Sequence, residues 1–223
     1  MVDIASLLDL QHSIAAALFE GKTYPWEVLG ELSDFILRLG ARLPADQFDH
    51  PAPDIWIARD ASVAASASLT GPLIIDRGAE IRHCAFIRGS VIVGKGSVVG
   101  NSTELKNALL FDAVQVPHYN YIGDSVLGHH AHFGAGSITS NVKGDKSQVQ
   151  IKAGGQVFAT GRKKVGAIVG DFGEIGCNAV LNPGTIIGRE ATVYPLCSVR
   201  GLVPAGCIYK GEGRCVPREE RPR

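Results

Sequence analysis

Residues 57–111 read IARDASVAASASLTGPLIIDRGAEIRHCAFIRGSVIVGKGSVVGNSTELKNALLF, and every sixth position from Ile57 is apolar: Val63, Leu69, Ile75, Ile81, Ile87, Val93, Val99, Leu105 and Phe111. The residue four after an anchor is mostly small or aliphatic too, as at Ala61, Ala67, Leu73, Ala79, Ala85, Val91, Ser97 and Leu109. An amphipathic helix repeats about every 3.6 residues and a half-buried strand every 2, so a six-residue unit with two inward positions is neither alone. It fits a coil of short parallel strands with small or polar residues at the corners, a parallel β-helix in which three units make one turn and residues eighteen apart stack. A β-sandwich would need irregular spacing and hairpin turns. The period resumes at Val169, Ile175, Leu181, Ile187, Val193 and Val199, which predicts an all-β domain over 51–213.

Outward from this repeat the pattern changes. In 1–50, Ile4, Leu7, Leu8, Ile14, Ala15 and Leu18 have helical spacing, as do Trp26, Leu29, Leu32, Phe35, Ile36 and Leu39. Two amphipathic helices are expected there, followed by the Pro- and Asp-rich connector ARLPADQFDHPAPD. Two breaks in the coil are expected: an insertion PHYNY at 117–121, and an inserted loop over 139–166. In that loop Val149 and Ile151 precede Gly154-Gly155 and Val157, which predicts a hairpin arm. The arm is basic, with Lys143, Lys146, Lys152, Arg162, Lys163 and Lys164, and suits closure over an anionic ligand. Residues 214–223 read as a flexible charged tail.

Lys+Arg 22 against Asp+Glu 22 leaves formal net charge +0, which argues against nucleic-acid or anionic-membrane binding over a broad surface. Any anion site must be local. Gly 27 of 223 with aromatics at only 7% points to many tight turns around small aliphatic side chains. The five cysteines are scattered without a CxxC pair, so neither a disulfide framework nor a structural zinc site is indicated. The N-terminal apolar stretch is interrupted by Asp3, Asp9 and His12 and lacks the run of about 18 apolar residues of a membrane span. A cytoplasmic protein is expected.

The stretch Glu104-Leu105-Lys106, then Pro117-His118-Tyr119-Asn120-Tyr121-Ile122-Gly123-Asp124-Ser125, then Phe133-Gly134-Ala135-Gly136-Ser137 and Asn141, resembles the acetyltransferase half of bifunctional N-acetylglucosamine-1-phosphate uridyltransferase/glucosamine-1-phosphate acetyltransferase. It resembles even more the same half of archaeal sugar-1-phosphate nucleotidylyltransferases that also acetylate amino-sugar phosphates. The resemblance, over about residues 55–213, implies a hexapeptide-repeat acyltransferase: a left-handed β-helix homotrimer that transfers acetyl from acetyl-CoA to an amino-sugar 1-phosphate in nucleotide-sugar biosynthesis, without a metal. It places the catalytic base on His118 and the acceptor asparagine of the catalytic set on Asn141. The phosphate contacts fall on Arg88, Lys106 and Tyr121, the loop lysine nearest on Lys146, and further acceptor contacts on His132 and Glu104. Ala135, Cys177 and Pro195 take the positions that meet the cofactor. His132 stands where the family usually has Asn, and no glycine-rich nucleotidyltransferase motif is found, so nucleotidyl transfer is not expected.

The residue types support these roles. Arg88 and Lys106 each follow an anchor and lie eighteen apart, so a triangular coil stacks two cations suited to a phosphate about 4.8 Å apart. A neutral imidazole can take the proton an amine loses as it attacks a thioester, and Asp124 or Glu104 could orient it. Two rivals share the fold: a γ-class zinc carbonic anhydrase using His129, His130 and His132, and an inactive binding scaffold.

Overall fold

A computed structural model describes residues 2–218 of the chain. The repeat folds as a parallel β-helix with three faces, consistent with the left-handed class that the resemblance implies. Strands from Ser62–Val63 to Cys207–Tyr209 stack on the first face; those from Ser68–Leu69 to Ser198–Val199 on the second; and those from Ile55–Ala58 to Leu202–Val203 on the third. The anchors pair in register down each face, as in Ile57 on Ile75 on Val93, and their side chains fill the interior.

One anchor shifts. Val93 pairs with Leu110 rather than Phe111, because the coil is one residue short at the corner between the second and third faces. The previous coil turns there through Gly89 and Ser90, both with positive φ, whereas this one turns through Asn107 alone (φ 48) and the next through Asp124 alone (φ 47). Asn and Asp tolerate the left-handed region better than other non-glycine residues. The strands Glu104–Leu110 and Tyr121–Leu127 therefore run through the corner unbroken. Phe111 stays buried and meets Phe19 of the N-terminal segment edge-on at 5.9 Å.

The stretch at 117–121 is not an insertion. Val116 and Ile122 remain six apart as stacked anchors, and Pro117 and His118 belong to the strand Gln115–His118. The register is possible because a Cβ at Gly100, directly above, would overlap the Pro117 carbonyl. The second break is a real excursion: Gln150–Ala153 and Gln156–Ala159 form an antiparallel hairpin turning through Gly154 and Gly155 (φ 56 and 76). Val149 and Ile151 are buried, and Phe158 packs edge-on against Tyr24 and Trp26.

The two long N-terminal helices expected from the spacing are broken into short turns, Ile4–Leu7, Leu10–His12, Ala16–Phe19 and Pro25–Gly30, before one helix, Leu32–Gly40. Asp3 and Asp9 explain the interruptions, since their carboxylates accept from Ser6 N and Gln11 N and each opens a new turn. The spacing still marks what is buried: Leu7, Leu8, Leu18, Trp26, Leu29, Leu32 and Ile36 lie against the helix, which gains roughly 1.5–3 kcal/mol per large side chain covered. Leu32–Gly40 packs on the third face over Leu73–Ile75 and Val91–Val93, while Asp112 N and Asp171 N bind the His12 and Leu7 carbonyls. At the other end the expected tail is partly ordered, because Cys215–Pro217 pairs antiparallel with Cys207–Tyr209; residues 219–223 lie outside the described residues.

Candidate functional site

The corner between the first and second faces carries one continuous column: Asn101, His118, Ala135, Cys177, Pro195. The first four carbonyls accept from the next coil, Asn101 O from Tyr119 N, His118 O from Gly136 N, Ala135 O from Asn178 N and Cys177 O from Leu196 N, all between 2.8 and 3.0 Å. Consecutive members are one strand spacing apart, so His118 and Pro195 are separated by about 14 Å along the helix axis. Three positions read from different parts of the sequence as cofactor contacts thus line up behind the expected base. The turning residues Tyr119, Gly136, Asn178 and Leu196 all have positive φ, which keeps the corner narrow. The Ala135 N–H donates to no atom among the described residues, and the exposed Cys177 lies against Gly134, where a Cβ would come 2.9 Å from its sulfur.

His118 is exposed, and its ring has no hydrogen-bond partner among the described residues. Its backbone is held by Asn120, a buried residue that the sequence reading did not single out. Asn120 Oδ1 accepts from His118 N (3.1 Å), while its Nδ2 donates to Gly134 O (2.9 Å) and Ser137 O (3.1 Å), tying the His118 backbone to the neighbouring coil. Flanked by Tyr119 and Tyr121, Asn120 carries no local signal of this role, which depends on Gly134 and Ser137 in the next coil.

Neither Glu104 nor Asp124 orients His118. Both carboxylates face the second-face cations: Arg88 Nη1 donates to Glu104 Oε1 (2.7 Å), and Lys106 Nζ to Asp124 Oδ2 (3.1 Å). Arg88 and Lys106 stack as the spacing predicts, with Arg88 N donating to Leu105 O. Tyr121 lies in register below Glu104, and its hydroxyl accepts from Asn141 Nδ2 (3.2 Å). Burial pushes the Tyr121 phenol pKa up, so it stays a protonated donor at neutral pH. Asn141 also donates to Asp124 (2.6 Å), as does Asn107 (2.8 Å), which makes Asp124 the hub of the cluster. Gly123 makes room for it, since a Cβ there would lie 2.5 Å from the Tyr121 hydroxyl.

Lys146 is not brought into this cluster; it sits exposed in a turn of the arm with φ 56. His132 lies one coil below Gln115 and pairs with Glu174 Oε2 at 3.0 Å, a hydrogen bond that raises its pKa. The three histidines of the metal alternative are not convergent. His129 Nδ1 bonds the Asp112 carbonyl and its ring stacks on His12 at 3.7 Å; His130 stacks on Phe172; His132 is held by Glu174. Among the described residues no group of three histidine, cysteine or acidic side chains is arranged to hold a metal ion.

Fold and site together define a hexapeptide-repeat β-helix protein with an exposed histidine at one corner and a stacked pair of cations on the second face. Residues 69–158 match the family model of the GMPPB C-terminal domain. The chain is 32% identical over 167 residues to a bifunctional sugar-1-phosphate nucleotidylyltransferase/acetyltransferase of Sulfurisphaera tokodaii, covering 67% of this chain and 42% of that one. It is 29% identical over 194 residues to the bifunctional protein GlmU of Methanococcus maripaludis, covering 79% and 43%. An Escherichia coli protein named uncharacterized acetyltransferase YaiX is 30% identical over 164 residues, covering 73% of this chain and 71% of that one. The chain belongs to the hexapeptide-repeat acetyltransferase family. It spans less than half the length of the two bifunctional relatives. No helix among the described residues is long and apolar enough to cross a membrane.

Proposed function

We propose that the chain is an acetyl-CoA-dependent N-acetyltransferase whose acceptor is an amino-sugar 1-phosphate. The observation that carries this reading is the corner column: an exposed imidazole at one end, a free backbone N–H one coil away at Ala135, and Cys177 and Pro195 continuing the line. An extended thioester-bearing arm laid along that column would bring its carbonyl to Ala135, within one coil of His118. The neutral imidazole takes the amine proton as the amine nitrogen attacks the thioester carbon; the C–N bond forms, the C–S bond breaks, and the departing thiolate receives the proton. The Ala135 N–H is placed to stabilise the carbonyl oxygen as it gains charge. Arg88, Lys106 and Tyr121 hold the acceptor phosphate, and Asn141 orients the amine end.

The reading includes a homotrimer. Tyr119 is 65% exposed and Leu196 79% exposed, and both flank the column at the corner where a neighbouring subunit would cover it. Arms from the neighbours would then bring Lys146 to a site that its own chain does not reach. The test is acetyl transfer from acetyl-CoA to glucosamine 1-phosphate, read as free thiol, with light scattering for the oligomer. His118→Ala should lower turnover about 10²–10⁴-fold with acetyl-CoA binding intact. Near-normal turnover in that variant, or an inactive wild type across amino-sugar phosphates, overturns the reading.

A further inference from the structure

Next to the cation pair, a cavity of about 520 Å³ opens between the N-terminal segment, the corner at Asn107 and Asp124, and the base of the arm. Lys106, Arg162, Lys163 and Lys164 line it together with Ser33, and Asp124 is the one acidic side chain among the lining residues. That carboxylate is already shared by Lys106, Asn107 and Asn141. No ion pair joins Arg162, Lys163 or Lys164 to a carboxylate among the described residues, although most of the chain's buried charges are paired. The Arg162 Nε is buried without any hydrogen-bond partner, and its Nη1 lies close over Gly30, where a Cβ would come within 2.7 Å. A chain of formal net charge +0 thus concentrates three uncompensated cations around one space.

A cluster of like charges on the wall of a recess repels itself and raises the local concentration of anions. One phosphate, held by Arg88, Lys106 and Tyr121, leaves the arm-base cations unmatched. We infer that the cavity is a second anion subsite, joined to the first through Lys106, and that the acceptor's 1-phosphate is extended there by a second, adjoining phosphoryl group, so that the ligand is a 1-diphosphate ester. Lys106 is the shared contact, with Arg88 and Tyr121 on one phosphoryl group and Arg162, Lys163 and Lys164 on the other. The absence of a side chain at Gly30 leaves room for the Arg162 guanidinium beside the N-terminal segment, and a guanidinium can contact a phosphoryl group through two N–H donors at once. The inference rests on the assignment of Arg88 and Lys106 as phosphate contacts but not on acyl transfer itself.

The experiment is calorimetric titration of the full chain with inorganic phosphate and with pyrophosphate, without divalent metal. Pyrophosphate should bind at least about 10-fold more tightly, the effect of adding charge-assisted contacts. Lys163 and Lys164 are exposed, so Lys163→Ala/Lys164→Ala should fold normally, lose that preference and leave phosphate affinity within about threefold. Arg88→Ala should weaken both anions. Lys152→Ala, on the arm but outside this cavity, should change neither. Uridine diphosphate binding more tightly than pyrophosphate assigns the diphosphate to a nucleotide, and equal binding assigns it to the phosphoryl groups alone; both support the subsite. Equal binding of phosphate and pyrophosphate by the wild type, retention of the preference in the double variant, or an equal loss in Lys152→Ala overturns it. A chain that shows the preference but transfers no acetyl group keeps this inference and refutes the transferase reading.

Discussion

Asp124→Asn tests the hub of the second-face cluster with almost no change of shape. The carboxylate is 1% exposed and accepts from Lys106 (3.1 Å), Asn107 (2.8 Å) and Asn141 (2.6 Å). Asparagine keeps one acceptor oxygen and places an NH₂ where the other stood, so at least one donor faces a donor and Lys106 loses its counter-charge. The backbone at φ 47 suits Asn as well as Asp, which confines the effect to the side chain. A lost charge-assisted hydrogen bond contributes about 1.5–3 kcal/mol and an unsatisfied buried group about 1–3 kcal/mol. The Lys106 side chain keeps 28% of its exposure and can reach water, which places the total near the low end, about 3 kcal/mol. For a chain of this size that lowers Tm by about 6–12 °C. The assay is thermal unfolding followed by circular dichroism at fixed protein concentration, with Lys106→Met and the double variant completing a cycle. Lys106→Met should cost at least about 1 kcal/mol less in the Asp124→Asn background than in the wild type. A Tm drop below about 2 °C, or strictly additive effects, would refute the hub.

Arg88→Ala should leave Tm nearly unchanged, because Arg88 is exposed and its partner Glu104 only half-buried, yet raise KM for a phosphorylated acceptor about 10-fold or more; an equal rise for the unphosphorylated amino sugar would contradict the phosphate assignment. Glu174 raises the pKa of His132, so this pair stabilises the fold fully below the unfolded histidine value near 6.5 and loses that contribution as pH rises through the folded value. Glu174→Gln should therefore lower Tm more at pH 5.5 than at pH 8.5, by less than about 1 kcal/mol for so exposed a pair, and a pH-independent difference counts against the linkage. His129 has the opposite sign: burial lowers its pKa, so stability falls as pH drops below about 6.5, where the unfolded chain takes up the proton. His129→Gln should flatten the acid limb of the urea midpoint against pH; an unchanged limb would assign the acid sensitivity to other groups.

Much of this protein is legible one residue at a time, because a β-helix converts sequence spacing directly into spatial stacking. Six-residue periodicity places Ile57 on Ile75 on Val93, and the eighteen-residue interval places Arg88 over Lys106, with no information from elsewhere in the chain. Gly154-Gly155 between apolar residues likewise announces its hairpin locally. What the spacing does not contain is anything set by a change of coil length or by contacts between distant segments. Asn107 and Asp124 shorten two successive coils by one residue, and that shift moves Leu110 under Val93 and sets Asp124 at the corner where Lys106, Asn107 and Asn141 donate to it. The Ala135, Cys177 and Pro195 column crosses the arm insertion, so its alignment depends on the helix resuming in register after 139–166. The N-terminal turns break at Asp3 and Asp9 because capping by a short carboxylate, together with burial against the third face, outweighs the continuity of a helical apolar stripe. Local periodicity thus determined the scaffold and the stacked cations, while the identity of each carboxylate's partner was decided by the tertiary structure, since ion pairs and hydrogen bonds depend on distances that register and corner geometry alone set.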